Sequence, residues 1–113
     1  MASSPIVPLY NGQLSNSSAA LYTSPTGVWT QLTKVLAVNT DTSAHTVTFH
    51  IVPNGGSSAT ANISTNAQAV LAGQAWNDPN EYGLVLAPGD AIYGNADTGS
   101  QVNVFIAGFQ ATS

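Results

Sequence analysis

Asp97-Thr98-Gly99-Ser100 is the stretch whose residue types come nearest to a reactive site, because aspartic proteases present their catalytic carboxyls on Asp-Thr-Gly turns. That chemistry needs two such aspartates sharing a proton, and a homodimer of a 113-residue all-β chain has the right size. The position argues against it. Proteases of that kind carry the motif early and build flap and substrate walls from the long remainder of the chain, whereas here only residues 100–113 come after Gly99. No apolar strand leads directly into Asp97, so the expected role is a turn between strands.

The other chemistry-bearing residues are sparse. His45 and His50 are the only histidines, and on one strand their spacing sends them to opposite faces, so they do not form a paired metal site. Asp78, Glu81, Asp90 and Asp97 would bring carboxylates to loops at one end of a sandwich, as a Ca²⁺ site requires, but their spacing matches no EF-hand. Asp90 after Pro88-Gly89 reads more simply as an Asx-type turn residue. No Gly-x-Ser-x-Gly and no phosphate-cradling loop is present, and no cofactor is expected. Trp29, Trp76, Tyr82 and Tyr93 are candidates for a sugar-stacking platform, with Trp29 and Trp76 foremost, although core and interface packing is the commoner use of such rings.

Strands must position all of these residues. Val28–Asn39 reads as a long strand with Leu32, Leu36 and Val38 on the face of Lys34, and Thr33, Val35 and Ala37 opposite. His45–Val52 alternates most cleanly, with Val47, Phe49 and Ile51 inward, and the link 39–44 has the length of a hairpin connection between the two. Ala19–Thr23 forms a strand ending at Ser24-Pro25-Thr26-Gly27. Residues 59–77 are read as strands, because no 3.6-residue apolar period runs far enough for a helix. Residues 83–111 read as a meander of three apolar runs separated by Pro88-Gly89 and by Asp97–Ser100.

In the last run Val102, Val104 and Ile106 share one face, and Phe105, Ala107 and Phe109 share the other. A strand apolar on both faces is covered on both sides. The expected architecture is all-β: one antiparallel sandwich of about eight short strands, jelly-roll-like, over 19–113. An N-terminal arm over 1–18 is expected to lie on its own domain or on a neighbour, with Pro8 breaking a short edge strand. Ile6, Val7, Leu9 and Tyr10 of this arm, with Phe105 and Phe109, are the candidate assembly interface.

Composition removes several functions. Charged residues make up 5 % of the chain, against roughly 25 % in ordinary soluble domains. Lys34 is the only basic residue and the formal net charge is −4, which opposes binding to nucleic acid and to anionic membranes. A surface this poor in charge is often hidden in an assembly, so a homo-oligomer is expected. There is no cysteine for a disulfide or thiolate site. Met1–Pro5 lacks the features of a signal peptide, and no apolar run approaches the ~20 residues of a membrane-spanning helix, so a chain made and soluble in the cytoplasm is expected.

The succession of Leu21-Tyr22-Thr23-Ser24-Pro25, Lys34–Thr40 leading into Thr46–Val52, then Leu86-Ala87-Pro88-Gly89-Asp90-Ala91-Ile92 and Val102–Gly108 resembles small virion structural proteins of tailed bacteriophages. The resemblance covers roughly residues 21 to 109. It implies a non-enzymatic β-sandwich that assembles on the particle, either as a capsid decoration (cement) protein or as a tail or fibre-attachment component with receptor or glycan contact. Such proteins are commonly trimeric, and they bind the major capsid protein or tail proteins of the same particle. No catalytic residues come with the resemblance.

Overall fold

Branched and aromatic residues at alternating positions drive the chain into nine strands over residues 6–112, the span that the computed structural model describes. They are β1 Val7–Gln13, β2 Ala19–Thr23, β3 Val28–Asn39, β4 His45–Val52, β5 Ile63–Val70, β6 Ala75–Asn77, β7 Val85–Leu86, β8 Ala91–Ala96 and β9 Val102–Thr112. The only helical element among the described residues is a 3₁₀ turn at Thr60–Asn62. Residues 1–5 of the expected arm lie outside the described span.

Two antiparallel sheets pack face to face. Sheet A is five-stranded, in the order β1-β9-β3-β6 with β7 also paired to β3, and sheet B is four-stranded, in the order β2-β8-β4-β5. Leu32, Val35, Ala37, Val104 and Ile106 of sheet A meet Val47, Phe49 and Ile92 of sheet B in one buried core. The molecule is a β-sandwich, as its alternating strands predict.

Three local expectations are corrected. β3 and β4 do not form a hairpin: β3 pairs with β6, β7 and β9 in sheet A, while β4 pairs with β5 and β8 in sheet B. The link between them crosses from one sheet to the other, and Asn39 holds it there by donating from its side-chain amide to the carbonyls of Ser43 (2.8 Å) and Val70 (2.9 Å). Nor is 83–111 a meander, because β7, β8 and β9 fall in sheets A, B and A in turn. Loop length does not distinguish a hairpin from a crossover.

The third correction concerns which residues of β3 face inward. The register with β9 shifts between Leu32 and Lys34, leaving Thr33 as the extra residue of a β-bulge. The bulge resets the alternation, so Thr30 and Leu32 point inward before it and Val35, Ala37 and Asn39 after it. Leu32 therefore lies in the core and not on the face of Lys34.

The arm is placed by pairing. β1 forms the edge of sheet A, running antiparallel to β9 from Val7 opposite Gly108 to Gln13 opposite Asn103. Gly108 of β9 is crowded by both neighbouring strands: a Cβ there would collide with the carbonyl oxygen of Gln31 and meet Leu9 Cδ1 at 3.0 Å. Gly108→Ala is predicted to lower the free energy of unfolding by about 1–3 kcal/mol, the usual cost of overpacking. Gly99→Ala, where nothing lies within 4 Å, should change it by no more than about 0.5 kcal/mol in the same urea titration.

Candidate functional site

The two outer faces of the sandwich differ in chemistry. Partners directly opposite in an antiparallel pair share a face, so the register lays out the outer surface of sheet A. It carries Pro8 and Asn11 from β1, Phe105, Ala107 and Phe109 from β9, Trp29, Gln31, Lys34 and Leu36 from β3, and Val85 from β7. Phe105 is 42 % exposed, Trp29 46 % and Val85 51 %. By the same rule sheet B carries Thr46 and Thr48 from β4, Tyr93 and Asn95 from β8, Ala20 from β2 and Ile63 and Ala69 from β5, with His50 on that face buried. The sheet-A face is the richer in large apolar side chains, and the sheet-B face in hydroxyls and small residues.

A shallow depression of about 320 Å³ runs across the apolar face, lined by Ile6, Val7, Pro8, Leu36, Phe105 and Ala107, with Lys34 and Asn11 at its polar margin. Lys34 is the chain's only basic residue, and no other formal charge stands among these outer-face positions. Of the candidate interface residues, Ile6, Val7 and Phe105 line this depression and Phe109 extends the face. Leu9 and Tyr10 instead pack against the core, because the register of β1 shifts between Pro8 and Tyr10.

The aromatic platform is not assembled. Trp29 lies on the outer face of sheet A, Trp76 packs against the core, Tyr93 belongs to sheet B, and Tyr82 stands on the crest of the β6–β7 loop.

Asp97 sits in the turn between β8 and β9, and its neighbour is a histidine. Both ring nitrogens of His45 are engaged, Nδ1 with Asp97 Oδ1 at 2.9 Å and Nε2 with Asp41 Oδ2 at 2.7 Å. The ring thus ties the β3–β4 link to the β8–β9 turn. Sequence reading missed Asp41, which is brought round because Asn39 Oδ1 accepts from the Asp41 backbone N–H at 2.9 Å, an Asx-type turn. That Asn-x-Asp spacing before His45 was the available signal. Hydrogen bonding to Asp41, aided by the charge of Asp97, raises the His45 pKa above its ordinary value, while the same bond to His45 and one from the Thr42 backbone N–H hold Asp41 below its own.

His50 faces the opposite way, as the spacing predicts, and its Nδ1 lies 2.8 Å from Asn62 Oδ1 and 3.1 Å from the Ala59 carbonyl oxygen. The four loop carboxylates considered for calcium are dispersed. Asp90 accepts from the Asn54 and Ala87 backbone N–H groups at the start of β8, and Asp97 lies beyond its other end. Asp78 and Glu81 do come together, but inside the protein, 2 % and 0 % exposed.

That burial is the feature the sequence least prepared. β6 and β7 both pair with β3, and residues 78–84 between them loop out of the sheet at the β3 bulge. Asp78 N–H donates to the Val35 carbonyl (2.8 Å) and Gly83 N–H to the Leu32 carbonyl (2.7 Å), so the loop straddles Thr33. Inside it, Thr65 of β5 donates its hydroxyl to Asp78 Oδ2 at 2.7 Å. Burial, and then a hydrogen bond to Asp78, pushes the Glu81 pKa up to about 8.

Comparison of the chain with protein-family models, curated proteins and solved structures returned no match.

The His45 bridge makes a pH prediction. Because the folded-state pKa is raised, the stability it contributes is fully present below the unfolded value of about 6.5 and is lost as pH rises through the folded value. The difference in urea midpoint between the wild type and His45→Gln should therefore be largest near about pH 5.5 and shrink as pH rises beyond about 6.5. A difference that is flat, or that grows with pH, contradicts the bridge.

Proposed function

We propose that this chain is a non-enzymatic virion structural protein, a capsid decoration (cement) protein that stabilises an assembled phage head through its outer sheet-A face. The carrying observation is the contrast between the two outer faces: Trp29, Leu36, Val85, Phe105 and Phe109 on sheet A against Thr46, Thr48, Tyr93 and Asn95 on sheet B. An apolar centre with a polar margin is the composition of a surface that is covered in use. Burying it only on the assembled lattice stabilises that lattice by mass action.

The strand order supports a jelly roll as the finer description. Successive strands alternate between sheets except for β4–β5, both in sheet B, and β6–β7, both in sheet A beside β3; with β6 and β7 sharing one edge position, the two four-position paths are β1-β9-β3-β6/β7 and β2-β8-β4-β5. A homotrimer bound to the major capsid protein, synthesised in the host cytoplasm and resident on the virion, is the assembly this reading favours. Nucleic acid and membrane are disfavoured partners for a chain of net charge −4 with one lysine. A tail or fibre-attachment role with glycan contact is the second reading, supported by the exposure of Trp29 at 46 %.

The double variant Leu36→Ser, Phe105→Asp is predicted to keep its circular dichroism spectrum while binding of the protein to virions falls about tenfold or more, as expected for polar replacement at an interface centre. Asn66→Lys, exposed on β5 of the other sheet, should bind as the wild type does. Undiminished binding by the double variant contradicts the proposal.

A further inference from the structure

Two carboxyl groups buried side by side need more hydrogen-bond donors than one hydroxyl supplies. Thr65 Oγ1 lies 2.7 Å from Asp78 Oδ2 and 3.1 Å from Glu81 Oε2, and its single proton satisfies one of them at a time. The Thr65 oxygen itself accepts from Asn80 Nδ2 at 3.0 Å, and the Asn80 backbone N–H donates to Asp78 Oδ1 at 2.8 Å. Ser64, the other β5 hydroxyl beside Glu81, has its one proton divided between the Glu81 carboxyl and the Phe49 carbonyl, which it meets at 3.2 Å. No buried side-chain polar atom is left without a partner among the described residues. That balance is met when one carboxyl keeps a proton and donates it to the other.

No cation offsets the pair from within. Lys34 is exposed on β3, where it lines a second depression with Thr33, Asn77, Asp78, Pro79 and Tyr82. Of the ionisable groups, Asp78 adjoins Glu81 directly; β5 offers only hydroxyls; and Lys34 and Tyr82 stand at the outer side of the loop. Ionising both carboxyls would place two like charges in a site of 2 % and 0 % exposure, with the Thr65 hydroxyl between them and only a shared Ser64 hydroxyl beside Glu81.

We propose that Asp78 and Glu81 hold one proton between them and that its loss expels residues 78–84 from the sandwich, so that the loop is a pH-operated latch beside the apolar face of sheet A. The parts fit a device that opens locally. The loop hangs on few backbone bonds to β3, those of Asp78 to Val35, Gly83 to Leu32, and Leu32 N–H to the Leu84 carbonyl (2.8 Å). Tyr82, next to Glu81, is already 73 % exposed. Opening would remodel the depression that Lys34 shares with this loop, at the border of the apolar face, while the device itself is a property of the free chain.

The direction of the switch is set by the elevated Glu81 pKa. The unfolded chain releases this proton from about pH 4.3 upward while the folded chain holds it to about 8, so the folding constant falls up to about tenfold per pH unit across that window. Further rise in pH ionises the folded protein and opens the loop.

The test is a carbon-13 and amide NMR titration of the free protein. The expected result is a Glu81 carboxyl midpoint near 8, with the Gly83 amide shift tracking the same curve. In Glu81→Gln, which keeps a donor toward Asp78 and cannot ionise, Gly83 should stay in its low-pH position up to about pH 9. A Glu81 midpoint in the ordinary range near about 4.3 overturns the proposal. So does a Gly83 amide that ignores the Glu81 titration, or one that still moves in the variant. The wild-type titration decides the matter even if the variant does not fold.

Discussion

The pairing of β3 with β9, from Val28 opposite Thr112 to Asn39 opposite Val102, is the constraint on which the other features rest. These are the two longest strands and they lie at the centre of sheet A. Their inner faces supply Leu32, Val35, Val104 and Ile106 to the core. Their outer faces supply Trp29, Leu36, Phe105 and Phe109. A central strand pair that is apolar on both sides has one side too many for a two-layer domain.

The bulge at Thr33 links this pair to everything around it. By resetting the alternation it puts Leu32 and Val35 together inward, and it frees the Leu32 and Val35 carbonyls to hold the 78–84 loop. The loop interrupts what would be a single edge strand, leaving β6 and β7 as its two stubs. Without the bulge, an unbroken edge strand would leave no place for the inserted carboxyls. The chemistry of the loop thus comes from one extra residue in a neighbouring strand.

Much of the local structure was legible in the sequence. The bounds of β2, β3 and β4 are those that composition and alternation mark, and the two-sided character of β9 is written in Phe105, Ala107 and Phe109. What was not legible is non-local. Whether the link after Asn39 turns back or crosses over is decided by the Asn39 amide reaching Val70, thirty-one positions away. The burial of Glu81 is decided by Thr65 and by the β3 bulge, and neither marks the Asn77–Glu81 stretch itself. The His45 bridge needs Asp97, brought from the far side of the sequence by the β4–β8 pairing. Short loops of polar residues look alike until the sheets are assigned.

The carboxylates have a common pattern: Asp41 and Asp97 hold His45, Asp90 holds backbone N–H groups, and Asp78 and Glu81 hold each other. The acidic side chains of this chain fasten loops, and the outer face of sheet A carries no formal charge but that of Lys34. Hydroxyl-radical footprinting of the protein on intact virions, beside the free protein, tests the proposed covering of that face most directly. The account predicts that Trp29 and Phe105 are labelled in the free chain and protected on the particle, while Tyr93 on sheet B is labelled in both. Equal labelling of Trp29 and Phe105 in the two states, or absence of the protein from virions, would contradict it.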